Sequence, residues 1–219
     1  MSNRFSFVNA LRTALLETAF MVSLSLVISI LLGTLLGYCL YATSNRYLMP
    51  NRGVNRALGF VVNMVRSMPF IILLVAILPM SKLVVGTMIG PKAIILPLVV
   101  SSTAFFSRLS ESAFRGVNSG VVEYALSAGA GNARIFFTIL LPEAGATLIS
   151  AITVATIAML GSSAMAGTVG GGGVGHFAIS YGYERFQKDI LFICIVILVV
   201  IVQIIQFVGD TISRRVDRQ

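Results

Sequence analysis

Charge is scarce in this sequence. Charged residues make up 11% of the 219 positions, against about 25% in a soluble domain, so water is the wrong solvent for most of the chain. Cysteine is nearly missing. Cys39 and Cys194 each sit inside a long apolar run, with no oxidised partner or metal-ligand spacing in view, and two free buried thiols are expected. Histidine occurs once, at His176, which suits a surface or loop-packing role better than a metal site. Paired carboxylates, a nucleophile facing a base, and a metal-ligand cluster are all lacking. The chain is therefore expected not to be an enzyme and to carry neither catalytic nor metal-binding residues.

Hydrophobic residues are what it has instead: they make up 57% of the chain, and the mean hydropathy is +0.93. A bilayer core of about 30 Å needs roughly 20 helical residues. Five apolar runs meet that length, at about Thr13 to Tyr41, Ala57 to Pro79, Pro91 to Ala113, Ala144 to Ala166, and Ile190 to Val208. An all-α integral membrane protein with five transmembrane helices follows, as a single domain over 1–219, because no shift in composition marks a linker. The first run is too long for the core of a signal peptide and lacks a convincing cleavage site, so it is expected to remain as a span.

Within the spans, three patterns bear on packing. Thr147, Ser150, Thr153, Thr156, Ser162 and Ser163 punctuate the fourth, which should face other helices or water rather than lipid. Pro69 and Pro97 are expected to bend their helices. Gly33 and Gly37 form a G-x-x-x-G that lets two helices approach closely, although such patterns recur by chance among small residues.

The net charge of +8 lies in short segments between the apolar runs, which marks topology rather than nucleic-acid binding. One set of segments holds ten Arg residues: Arg46, Arg52, Arg56, Arg66, Arg108, Arg115, Arg134, Arg214, Arg215 and Arg218. The opposite set holds six basic residues: Arg4, Arg12, Lys82, Lys92, Arg185 and Lys188. The richer side should be cytoplasmic. The amino terminus is then outside and the carboxyl terminus inside. Arg108 and Glu111, three apart at a cytoplasmic helix end, are placed to form an interfacial ion pair.

Between the third and fourth runs lies a connection from about Ser112 to Glu143, where bundle helices are usually joined by about 2–8 residues. Ser119 can cap a short helix with Glu123 in its first turn, where a carboxylate favours the helix dipole. Gly129 and Gly131 stop that helix, Asn132 can cap a second, and Pro142 ends it. Val121, Val122, Ala125 and Ala128 fall near helical spacing on the first. Ile135, Phe136, Ile139 and Leu140 do so on the second. Such a pair could lie on the membrane surface or present an element to a soluble partner.

Glu123, Ala125, Gly129, Ile139, Leu141 and Pro142 match, at every spacing, the E-A-A, G, I-x-L-P pattern of bacterial ABC importer permeases, which this chain resembles. Tyr124 stands where the pattern has its first Ala. The resemblance extends to Phe70 to Val75 after Arg66 to Pro69, to Gly161 through Gly170, to Gly172 through Gly175, to Tyr181 to Tyr183, and to Gln206 through Asp210. All of these pieces look like the methionine importer permeases of that family.

The resemblance implies a type I importer in a bacterial inner membrane. Two copies of the chain would join two cytoplasmic ABC ATPase subunits and an external substrate-binding protein. ATP and Mg would be held by the ATPase, and none by this chain. The segment 119–142 would be the coupling helix region, with Glu123, Tyr124, Ala125, Gly129, Ala130, Ile139, Leu141 and Pro142 at the ATPase. Methionine, in either enantiomer or as a close derivative, would be the cargo, with another amino acid or small polar solute as the alternative.

Gly170 to Gly173 with Gly175 lack the Lys-Ser or Lys-Thr of a phosphate loop. They read as an external re-entry, and the resemblance brings Gly172 and Gly173 toward the path. Met is more often a core gap-filler than a contact. Even so, Met159, Ser162, Ser163 and Met165 form the best candidate gate, since small hydroxyls leave room and a flexible thioether can close a constriction. An ion-coupled secondary transporter is the competing class. It would call for inverted repeats and an acidic residue within a span, and neither is seen.

Overall fold

The computed structural model describes residues 2–217, so Arg218, counted above toward the cytoplasmic charge, lies outside them, as does the side chain of Arg4. The chain is all-helical, and its first helix, α1 (Ser2–Ser44), extends beyond both ends of the expected run. At 1.5 Å per residue its 43 residues reach about 65 Å, well past a bilayer core.

The seam of the molecule is α1 against α4 (Pro91–Arg115), the most extensive helix pairing in the fold. Gly33 and Gly37 make it possible. A Cβ added at Gly37 would lie 2.6 Å from the Ser107 carbonyl oxygen and 2.7 Å from Ser110 Cβ, and one at Gly33 would lie 2.9 Å from Phe106 Cδ1. The G-x-x-x-G is therefore the contact that sets the distance between these helices. Ser25 and Ser29 reinforce it by donating to the carbonyls of Ile95 and Val99, each at 3.4 Å.

The second apolar run is not one helix. It forms α2 (Arg52–Ser67) and α3 (Phe70–Val85), bent by 108° across Met68 and Pro69. Pro69 has no N–H and drives the residue before it out of the helical region, and Met68 is accordingly extended, with φ −81° and ψ 132°. Pro79, expected to end the run, lies inside α3, which continues to a left-handed cap at Gly86. Pro97 behaves differently from Pro69, since α4 runs through it without interruption. Among the described residues, four helices are long and apolar enough to cross a membrane, and the bent pair raises the number to five if it is taken as one span.

After α4 come α5 (Ser119–Ser127), α6 (Asn132–Ile135), a π-helical turn, and α7 (Leu141–Glu143). The fourth run is α8 (Gly145–Ala166), and the fifth lies within α10 (Lys188–Val216), beyond a short α9 (Gly173–Phe177) and a second π turn. α8 packs on α1, α4 and α10, as its hydroxyls suggested. Most of those hydroxyls turn back on their own helix: Thr153, Thr156 and Ser162 donate to the carbonyls four residues earlier. Cys194 is buried, but Cys39 is exposed, because the apolar face of α1 that carries it turns away from the bundle.

Candidate functional site

The connection after α4 folds as a hairpin. Asn118, not Ser119, caps α5: its side-chain oxygen accepts the Gly120 N–H at 2.9 Å. Glu123 is the fifth helical residue, one past the first turn, so the helix dipole does not explain its position. The end of α5 is as expected. Gly129 is left-handed at φ +81°, its N–H donates to Leu126 O, and the Ala130 N–H reaches back to Ala125 O, both at 2.9 Å. Those two bonds are the paired closure of a Schellman motif, with Ala130 and Ala125 as its apolar contact.

The returning arm of the hairpin departs from expectation. Gly131 precedes α6 with no side-chain cap, and Asn132 is a helical residue whose carbonyl accepts the Tyr38 hydroxyl at 3.2 Å. Pro142 does not stop the helix. The π turn Phe136–Leu140 comes first, with Leu141 N–H donating five residues back to Phe136 O, and this wider turn takes in the proline. The chain then passes through α7 and Ala144 into α8.

One side of the hairpin is core. Val122 and Ala125 of α5 join Ile135, Phe136 and Leu140 in a cluster with Tyr41, Phe114 and Leu148, so the hairpin is locked to α1, α4 and α8. Val121 and Ala128, expected on the same stripe, are exposed. Ile139 and Leu141 are half-buried beneath the surface. The other side is open and partly apolar: Tyr124 is 78% exposed and Phe137 63%, and nothing lies within 4 Å of a Cβ built on Gly129. Both rings stand on the face of the hairpin turned away from the core cluster.

Behind it stands an ion cluster. Buried Glu111 accepts Arg108 and Arg115, each at 2.7 Å, while Arg108 also donates to Gly59 O and Asn63, and Arg115 to Ser44. The expected Arg108–Glu111 pair is present. Arg115 was missed, although its spacing of four from Glu111 was visible in the sequence.

At the other end, the glycine run is folded tightly against α1 and the start of α4. Gly170, Gly172 and Gly173 all have positive φ. Glu17 accepts the Gly173 N–H at 2.7 Å, Thr18 accepts that of Val174 at 2.9 Å, and Gly170 O accepts the Gly90 N–H. Glu17 and Thr18 were not singled out from the sequence, because nothing local links them to a segment 156 residues away. His176 is exposed, with Nδ1 3.2 Å from Gly167 O.

The candidate gate residues do not converge. Met159 and Ser162 border a groove of about 290 Å³ beside the α2–α3 break, with Arg66, Met68, Ser101, Ser102 and Phe105. Ser163 is 3% exposed, and its hydroxyl donates to Leu160 O on its own helix. Met165 is 55% exposed on a different face, and Gly172 and Gly173 lie against Glu17, Pro91 and Thr18. Helical geometry explains the scatter, since neighbours on α8 point in different directions. The groove residues on α2 and α4 were missed because only the break at Pro69 brings them together.

Comparison with known proteins adds the following. Residues 29–218 match the family described as binding-protein-dependent transport system inner membrane component. The chain is 46% identical over 209 residues to the probable D-methionine transport system permease protein MetI of Vibrio cholerae, covering 95% of this chain and 93% of that one. It is 43% identical over 180 residues to the methionine import system permease protein MetP of Bacillus subtilis, covering 82% and 81%. Among solved structures, a chain of the MetNI methionine ABC transporter in inward-facing conformations superposes with a TM-score of 0.94 at 36% identity, over 96% of this chain and 98% of that one.

Proposed function

This chain belongs to the family of binding-protein-dependent transport system inner membrane components, and from that premise we propose that it is the membrane-spanning subunit of an ATP-driven importer of methionine. Both relatives named above are methionine permeases, matched over 95% and 82% of this chain. The cargo is D- or L-methionine or a close derivative. Two copies form the path, as one five-span domain each when the bent α2–α3 pair is counted as one span. The amino terminus is outside and the carboxyl terminus is cytoplasmic.

The single observation that carries the coupling role is the two-sided hairpin at 119–142. Its inner side is embedded in the core shared by α1, α4 and α8, while its outer side presents Tyr124 and Phe137. Such an element moves as a body with the bundle. Closure of two ATPase subunits, which bind ATP and Mg, would push on Glu123, Tyr124, Ala125, Gly129 and Ala130, with Ile139, Leu141 and Pro142 supporting them. The push reaches the spans through packed side chains. ATP binding then opens the path outward to a substrate-binding protein, and hydrolysis returns it inward.

The test is association. Co-expressed with its ATPase, the wild-type chain is expected to co-purify, whereas Gly129→Pro and Glu123→Arg lose the ATPase while still extracting as folded protein. Full association of both variants would remove the hairpin from the coupling role.

A further inference from the structure

The import reading leaves open where the permease itself meets its cargo. Resting on that reading, we propose that the groove at the α2–α3 break is a transit site for an amino-acid zwitterion. Arg66 and the hydroxyls of Ser101 and Ser102 take the carboxylate, and Met68, Met159 and Phe105 take the side chain.

Arg66 is the first reason. It lies in the last turn of α2, is exposed, and has no carboxylate within ion-pair distance among the described residues. Arg108 and Arg115, by contrast, are both committed to Glu111. A guanidinium with no carboxylate partner is free to take an anionic ligand, and its planar fork suits a carboxylate.

The hydroxyls are the second. Ser107 on the same helix, and Thr153, Thr156 and Ser162 on α8, all donate to backbone carbonyls. Ser101 and Ser102 make no such bond among the described residues, although Ser102 is only 7% exposed, and both open on the groove. Two unused donors beside a free cation form a site for an anionic group.

The break supplies the third. Pro69 has no N–H to return, and among the described residues no backbone donor reaches the carbonyls of Arg66 and Ser67. The negative end of α2 therefore borders the groove and suits an ammonium, as half-helix ends do in other transporters. The volume of about 290 Å³ sits at the small end of the roughly 300–1,000 Å³ of ligand pockets, which fits one amino acid and not a peptide. No acidic side chain lines the groove, so a cationic amino acid is disfavoured. A half-open site with one cation also holds its ligand weakly, as passage requires.

The test uses cysteine accessibility in the reconstituted permease–ATPase assembly, with Cys39 and Cys194 replaced by alanine. Ser101→Cys and, as a second probe, Ser162→Cys are modified with a methanethiosulfonate reagent. Millimolar L-methionine is expected to slow modification several-fold, methionine amide to have no effect, and Arg66→Gln, but not Arg66→Lys, to abolish the protection. Equal rates with and without methionine at both probes would overturn the site. So would equal protection by the amide, or protection by inorganic phosphate alone. Labelled methionine uptake by the same vesicles with binding protein separates the two levels: uptake without protection removes the site and leaves the import reading standing. Absence of uptake by the wild type removes the reading and the site with it.

Discussion

At the scale of single residues, Gly129 and Glu111 matter most. Only glycine takes φ +81° without strain, so Gly129→Ala is expected to cost about 1–2 kcal/mol locally. It should lower the ATP-driven uptake rate more than the thermal midpoint, since the strain falls on the hairpin and not on the bundle. Uptake and thermal unfolding measured side by side check this. Glu111→Gln leaves two arginines without a carboxylate. Because Arg115 is half exposed and Arg108 mostly buried, the expected cost is about 2–3 kcal/mol, between the ~0–1 of a surface pair and the ~3–5 of a buried one. A loss under about 0.5 kcal/mol in denaturant titration would show that the cluster is not structural. Gly129 was readable in the sequence, because a glycine directly after a helical pattern has few other uses. Glu17 was not, because its partner is brought to it only by the tertiary fold.

At the scale of helices, the G-x-x-x-G decides how closely α1 and α4 approach. A methyl at Gly37 falls 2.6 Å from a backbone atom of α4, whereas one at Gly33 meets the ring of Phe106 at 2.9 Å and the α4 backbone only at 3.3 Å. Gly37→Ala is thus expected to lower the melting temperature more than Gly33→Ala, each within the roughly 1–3 kcal/mol typical of overpacking. The reverse order in detergent melts would contradict the packing described here. The two prolines show why bends are hard to read from sequence. Pro97 lies between buried Ile94 and Leu98, and packing against α1, α3 and α8 holds α4 together. Ser67, Met68 and Pro69 are all exposed, and nothing opposes the break. Sequence shows where a helix is weakened, and the neighbours decide whether it yields. The proline of the I-x-L-P stretch is a further instance, since the π turn ahead of it carries the helix past a residue that normally stops one.

At the scale of the whole molecule, the four long apolar helices, the family and the helical hairpin were legible because each rests on local features: apolar length, motif spacing and turn glycines. The groove was not legible, because it is assembled from α2, α4 and α8 around a break whose 108° angle no local pattern encodes. If the hairpin docks on the ATPase as proposed, the exposed Tyr124 and Phe137 lie in that contact. Tyr124→Ala with Phe137→Ala is expected to weaken ATPase association at least tenfold without lowering the melting temperature, as titration of the purified ATPase onto the permease in detergent would show.

The most direct test is uptake of labelled methionine into proteoliposomes containing this chain, its ATPase and the external binding protein. The expected result is accumulation that requires ATP, the ATPase and the binding protein together, and that is unaffected when ion gradients are collapsed. Accumulation by the chain alone, driven by an ion gradient and indifferent to ATP, would contradict it.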